Sequence, residues 1–133
     1  MAIYPNAIWR PGPASKTGYG DLVTNFAQGV VCHSMVGYYA GAMAELDKLT
    51  RRASWHFSVN QHGLVFQHYD TDKITWHCGS VFWNARLIGI EHEGGFDPED
   101  ESFTVPQRES SVKLVKWLHA THSPNNPVER FVK

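Results

Sequence analysis

Long apolar runs are absent from this chain, and no stretch approaches the ~18 residues that a membrane span requires. A surplus of one charge sign is absent too. Lys plus Arg number 12 and Asp plus Glu 13, for a formal net charge of −1 at pH 7, which removes the basic footprint of a nucleic-acid binder. Cysteine is scarce: two residues cannot build a disulfide framework, and they do not fix the redox compartment. There is no internal repeat and no low-complexity tract. A targeting pattern is missing as well, because Pro5 interrupts the mildly apolar Met1–Trp9 and no basic segment precedes it. What is present is 133 residues, one domain's worth of chain, 42% hydrophobic and 19% charged, a composition without signs of disorder. Eight histidines are many for this length and direct attention to metal chemistry.

Along the chain, residues 1–29 carry Pro5, Pro11, Pro13, Gly12, Gly18, Gly20 and Gly29, and read as an irregular arm lying on a domain that occupies 30–133. Gly29-Val30-Val31-Cys32-His33 is a short β-branched strand. Tyr39, Ala42, Met43, Leu46 and Leu49 recur at three and four residues, as the buried face of a helix over 39–49. Ser54–Asn60 alternates, with Trp55, Phe57 and Val59 one way and His56 and Ser58 the other. Asn60-Gln61-His62-Gly63 is a turn, with glycine where positive φ is expected, and 64–69 returns as the second arm of a hairpin. Residues 70–84 read as a loop. Arg86–Glu93 is a strand with Leu87, Gly89, Glu91 and Glu93 on one face and Ile88, Ile90 and His92 on the other. Residues 94–103 form an acidic, Gly/Pro-punctuated loop. Thr104-Val105-Pro106-Gln107 is a capping box with proline in the first turn, opening a helix to about His122 with Val112, Val115, Leu118 and His119 along one stripe, broken by Ser123–Pro127. The order β-α-β-β-β-α predicts an α/β fold: a central mixed sheet with helices packed against it.

Several residues could do chemistry. His33 ends an apolar strand, where a neutral imidazole is a natural zinc ligand or a histidine bonded to backbone. Glu91 sits in an apolar strand, where a carboxylate is costly to bury unless paired or used. Low dielectric would raise its pKa toward that of a general base, unless its face of the strand is simply wet. Gly89 leaves space on that face and suggests a cleft floor. Trp76-His77-Cys78-Gly79 holds two zinc-ligand types, yet adjacent residues rarely point at one ion, so a groove wall with Trp76 in the core is the favoured reading. Cys32 alternates with His33 and reads as a small core residue. His119 and His122 share a helix face; either they bind metal, or one closes the buried stripe and the other caps the helix end. His62 reads as solvated, and His68 as a residue paired across the hairpin.

Taken in order, Val30-Val31-Cys32-His33-Ser34, Ser54-Trp55-His56-Phe57-Ser58-Val59, Gly63-Leu64-Val65-Phe66-Gln67, Thr75-Trp76-His77-Cys78-Gly79, Asn84 and Ile88-Gly89-Ile90-Glu91 resemble the zinc-dependent N-acetylmuramoyl-L-alanine amidases. That is the type-2 amidase and peptidoglycan-recognition-protein superfamily, which includes phage endolysins and bacterial autolysins. The likeness covers roughly residues 30–122. It implies Zn2+ held by two histidines and one Cys or Asp, with water in the open position. His33 matches the first metal ligand and Glu91 the catalytic glutamate that assists the water. Trp55 stands where some members have tyrosine, so a hydroxyl role there is absent, and Trp55, His56, His77 and Asn84 fall where the family lines or braces its substrate groove. The implied reaction cuts the amide between N-acetylmuramic acid and the first L-alanine of the peptidoglycan stem. A monomer without nucleic-acid or membrane partners is expected. Its expected place is the host cytoplasm before holin-assisted release to the wall, or the bacterial cytoplasm if it recycles wall fragments.

One departure stands out. In the family the second histidine and the Cys/Asp ligand lie beyond the last long helix, and no Gly-His pair follows Asn125 here. The leading expectation is that the chain is part of a longer amidase. The others are a binding-only recognition module that keeps the groove without hydrolysis, and substitute ligands from His119, His122 or a partner chain. An unrelated α/β domain that uses its histidines structurally remains the third functional reading.

Overall fold

A computed structural model describes residues 2–95 and 103–122, together with the backbone of 129–132. Most of the acidic loop read over 94–103, and the helix break at Ser123–Pro127, lie outside the described residues. The elements run β1 (Ile8–Trp9), β2 (Gly29–Ser34), α1 (Tyr39–Asp47), β3 (Phe57–Val59), β4 (Val65–Gln67), α2 (Val81–Asn84), β5 (Leu87–His92), α3 (Val105–His122) and β6 (Glu129–Val132). They form one mixed sheet in the order β1-β4-β3-β5-β2-β6. β3 and β4 are an antiparallel hairpin, while β3–β5, β5–β2, β2–β6 and β1–β4 pair in parallel. The expected α/β class is observed, with two strands that the hydrophobic pattern did not reveal. The arm over 1–29 is not wholly irregular, since Ile8 and Trp9 pair with Phe66 and Gln67 at the sheet edge. β6 pairs with β2 from Gly29 to Cys32.

Strand alternation divides the core in two. Val30, Ile88, Ile90, Phe57 and Val59 face α3 and pack on Leu114 and Leu118. The opposite face carries α1, whose Met43 and Leu46 cluster with Trp55 and Tyr69, and whose Tyr39 ring lies 4.5 Å from Phe66. Trp55 therefore does not share a face with Phe57 and Val59 as its alternation suggested. β3 begins only at Phe57. The preceding backbone turns the indole toward Ser58, whose Oγ accepts from Trp55 Nε1 at 2.9 Å.

Turn and cap chemistry follows the sequence more closely. Gly63 has φ +85°, and an added Cβ would lie 2.7 Å from the Pro106 carbonyl oxygen, so both backbone conformation and close approach require glycine. The capping box is formed: Gln107 N donates to Thr104 Oγ1 at 3.2 Å, and Thr104 N to Gln107 Oε1 at 3.3 Å. The buried stripe of α3, however, is Gln107, Ser111, Leu114 and Leu118. Val112 is 47% exposed, because two polar residues take the inward positions and serve β-strand groups: Gln107 Nε2 donates to the Val59 and Glu93 carbonyls, and Ser111 pairs with His92. α1 stops at Asp47, leaving Leu49 exposed. The segment read as loop over 70–84 ends in the one-turn helix α2.

Candidate active site

Parallel register sets the geometry. On the α1 face, Phe66, Ser58, Glu91 and His33 form a row across β4, β3, β5 and β2, each opposite the next. Neighbouring strands lie about 4.8 Å apart, so the two residues assigned the central chemical roles sit side by side. Glu91 opens into a cleft of about 290 Å³ lined also by Ser34, Ala42, Arg51, Trp55 and His77. Its Oε2 is buried with no hydrogen-bond partner, and burial raises its pKa from 4.5 to about 7. A carboxylate held this way is poised to take up a proton near neutral pH.

His77 arrives from the Trp76-His77-Cys78 turn and lies across Gly89. Its ring fills the space that the missing side chain leaves; a Cβ at Gly89 would be 2.7 Å from His77 Cγ. Gly89 is thus the seat of an imidazole and not the open cleft floor that its lack of side chain suggested. The ring's Nε2 faces the Leu87 carbonyl at 3.3 Å, and its Nδ1 faces His33 Nε2 at 3.0 Å and Cys78 Sγ at 3.1 Å. With Nε2–H donating to Leu87, Nδ1 presents a lone pair to His33 and Cys78. Burial, together with the nearby His56 and His33, lowers the His77 pKa to about 3, so the ring is neutral, which is the metal-binding form. One donor atom each from His33, His77 and Cys78 lie within 4.8 Å of one another, all partly exposed. Two imidazoles and a thiol at such spacing suit a tetrahedral zinc with a fourth position open, and the orphaned Glu91 oxygen lies on the same face. The donor set fits zinc.

This trio differs from the sequence reading of the turn. The expectation that adjacent residues diverge holds in a strand, but residues 77 and 78 precede Gly79 at φ +67°, where the chain curls and both side chains reach the same point. Cys78 is the residue the motif contained and the argument set aside. Trp76 is not core: its Nε1 donates to the Gly18 carbonyl at 3.0 Å, and Arg52 stacks 5.5 Å over its ring. Among the described residues His119 and His122 do not join the trio.

The remaining groove candidates are braces in this structure. His56 is fully buried. Its Nε2 meets the Lys73 carbonyl at 2.8 Å, and its Nδ1 faces Thr75 Oγ1 and Gly89 N, both at 3.1 Å. Asn84 is 1% exposed, with Oδ1 accepting from His77 N at 3.1 Å and Cys78 N at 2.8 Å and Nδ2 donating to Tyr19 Oη at 2.7 Å. Trp55 and His77 are the two of the four that line the cleft with Glu91.

A mixed sheet that carries a carboxylate and a three-donor cluster on one face, beside a cleft, defines a hydrolase-like α/β domain with a metal-competent centre. The chain belongs to the N-acetylmuramoyl-L-alanine amidase family Amidase_2, whose family model matches residues 24–132. It is 30% identical over 123 residues to N-acetylmuramoyl-L-alanine amidase A of Achromobacter lyticus, covering 92% of this chain and 66% of that enzyme. It is 33% identical over 70 residues to endolysin 2638A of Staphylococcus phage 2638A, 48% of this chain and 14% of the endolysin. The chain thus spans about two thirds of one curated relative and a seventh of the other. The fold is that of the amidase LysC from Clostridium intestinale URNW, with TM-score 0.70 at 19% identity over 97% of this chain and 83% of that one. An AmpD derivative superposes with TM-score 0.69 at 20% identity, over 98% and 82%. Among the described residues no helix is long and apolar enough to cross a membrane.

Proposed function

We propose that this chain is a zinc-dependent peptidoglycan amidase that hydrolyses the bond between N-acetylmuramic acid and L-alanine, with His33 holding the ion and Glu91 moving the proton; His77 and Cys78 lie within reach of the same ion, whereas the second and third ligands that the resemblance implies lie beyond the last long helix. The observation that carries the reading is the placement of the Glu91 carboxylate, its Oε2 buried without a hydrogen-bond partner, in register with His33, on the face where the three donors converge. Zinc in such a donor set supplies Lewis acidity, drawing electron density from a carbonyl and acidifying water. Glu91 accepts the proton that the attacking water loses. The water oxygen bonds to the lactyl carbonyl carbon, the carbon–nitrogen bond breaks, and Glu91 returns the proton to the departing L-alanine nitrogen. Trp55 walls the cleft and shields the carboxylate from bulk water, which keeps its proton affinity near neutrality.

The test uses the intact chain and purified cell wall. Zinc-loaded protein should release new L-alanine amino termini, and a chelator should abolish the release until zinc is restored. Glu91→Gln should keep zinc and lose turnover. Binding to wall that persists with chelator, with no amino termini released at any zinc level, would replace the amidase reading with the non-catalytic recognition module.

A further inference from the structure

Trp55 lines the cleft beside Glu91, yet its one polar atom is withheld from that cleft: Nε1 donates to Ser58 Oγ at 2.9 Å in a buried bond. We infer that His68, acting through Ser58, is the positioning residue that fixes the Trp55 indole and so sets how the cleft takes up its substrate; the inference rests on the amidase reading for what the cleft holds. The donors along this chain of bonds follow from its far end. His68 Nδ1 lies 2.7 Å from the Arg10 carbonyl. A carbonyl oxygen only accepts, so the proton is on Nδ1, and Nε2 of the neutral ring carries a lone pair. Ser58 Oγ, 2.8 Å from Nε2, must then donate its hydrogen there, which leaves its oxygen free to accept from the indole. Each bond thus fixes the polarity of the next, from a backbone carbonyl in the N-terminal arm to the wall of the cleft.

Apolar packing does not select this orientation. Met43, Leu46 and Tyr69 cluster with Trp55, and such contacts would hold the ring turned by half a revolution about as well, with its N–H toward the cleft. The bond to Ser58 is what tells the two orientations apart, so that the cleft meets indole hydrocarbon and no donor. Ser58 also stands opposite Glu91 across β3 and β5. Its only proton is committed to His68, so it offers the carboxylate none, in keeping with the unpartnered Glu91 Oε2. The far end of the chain of bonds is itself held twice: Arg10 N donates to the Gln67 carbonyl at 2.9 Å, and the Arg10 guanidinium pairs with Asp47 of α1. His68 is 1% exposed and Ser58 fully buried, so both act behind the surface that substrate reaches.

Nitrogen-15 NMR of the intact chain tests the inference without reference to hydrolysis, the Trp55 indole signal being the one that Trp55→Phe removes. In wild type the Trp55 Nε1 proton should exchange slowly with water, and His68 should carry its proton on Nδ1. Ser58→Ala and His68→Leu should speed that exchange by about tenfold or more, whereas His68→Gln, which puts an acceptor where Nε2 stands, should keep it within a few-fold of wild type. With a soluble N-acetylmuramoyl-L-alanyl peptide as substrate, Ser58→Ala and His68→Leu should raise KM by about three- to tenfold and change kcat less, and Ser58→Ala should add nothing in the Trp55→Phe background. An indole proton as protected in Ser58→Ala as in wild type overturns the inference. So does His68→Gln losing as much protection as His68→Leu, or a Ser58→Ala penalty that persists in full once the indole N–H is gone. If His68→Leu fails to fold, Ser58→Ala and His68→Gln decide by the same two readouts. A wild-type chain that protects the indole proton but cleaves no muramyl peptide strikes the amidase reading alone, and the fixing of Trp55 by His68 stands.

Discussion

Glu91 has two consequences that pull in opposite directions. Burial raises its folded-state pKa from 4.5 to about 7. Between those values the folded chain holds a proton that the unfolded chain has released, so stability falls as pH rises through the window. Glu91→Gln removes that cost. In metal-free protein at pH 8 the variant should unfold at higher urea concentration, by roughly 3 kcal/mol, while amide hydrolysis falls by about 10²–10⁴ when a proton-transfer group is lost. A glutamine variant less stable than wild type at that pH, or one that still turns over, would refute the assignment. Gly89 gives a companion prediction. A methyl group there would lie 2.7 Å from His77 Cγ and 2.8 Å from its Nδ1, so Gly89→Ala should cost at least about tenfold in zinc affinity with the far-UV dichroism unchanged; equal affinity would show that His77 is not a ligand. That His33 and Glu91 share a face was legible from sequence, because strand alternation fixes the side of each. The placement of Cys78 beside His77 was not, since its direction depends on a glycine turn and on an asparagine six residues away that no periodicity reports.

Helix α1 carries the wall of the cleft, through Ala42, and other segments hold both of its ends. At the start, Glu93 from the end of β5 accepts from Tyr39 N at 2.7 Å and Gln61 N at 2.9 Å, placing a carboxylate where the helix dipole favours one. At the other end Lys16, 1% exposed, donates to the carbonyls of Leu46 at 2.7 Å, Lys48 at 3.1 Å and Glu45 at 3.2 Å. These are carbonyls that a helix end leaves open. The ammonium uses its three protons on three acceptors, which is how a lysine can be buried here. Burial lowers its pKa. Arg10 adds a bidentate pair to Asp47, at 2.6 and 2.7 Å. Lys16→Met fills the volume but takes the ammonium donor from the Leu46 and Glu45 carbonyls, leaving the Lys48 carbonyl only its bond from Arg51 N, and should destabilise the fold by about 2–4 kcal/mol. Arg10→Ala, on the surface, should cost under about 1 kcal/mol. Chemical denaturation of the two variants checks the ordering, and a reversed order would mean that Lys16 is incidental. The 3.6-residue pattern located α1, but its caps come from distant segments and were invisible to local reading. α3 shows the same limit: its inward stripe begins with Gln107 and Ser111, which a search for apolar periodicity passes over.

Across the whole molecule, buried neutral histidines join the N-terminal arm and the 70–76 segment to the sheet. His68 Nδ1 meets the Arg10 carbonyl at 2.7 Å and its Nε2 meets Ser58 Oγ at 2.8 Å, so it ties the arm to β3. His56 links the Lys73 carbonyl and Thr75 to the amide of Gly89 in β5. Each ring must offer one nitrogen as donor and keep the other as acceptor, and protonation destroys that pattern. Burial accordingly lowers both pKa values from 6.5 to about 4. Between pH 6.5 and about 4 the unfolded chain binds protons that the folded chain refuses, so stability falls as the solution is acidified through this window. Two such groups contribute up to about 2.7 kcal/mol per pH unit; His77, whose pKa is lowered in the same way, adds to this, and Glu91, whose pKa is raised, opposes it by about as much. Urea unfolding of the chelated protein, which removes any metal linkage, should show this loss between pH 6.5 and 4.5. Replacing His68 with Gln should remove one histidine's share of the slope, about 1.4 kcal/mol per pH unit, because glutamine does not titrate while His56 and His77 continue to. Protease cleavage within residues 1–29 should rise over the same range in wild type as Arg10 loses its tie to β3. A stability that stays level from pH 7 to 4.5 would mean that these rings accept protons without cost, and that the arm is attached by apolar contact and the Arg10–Asp47 pair instead.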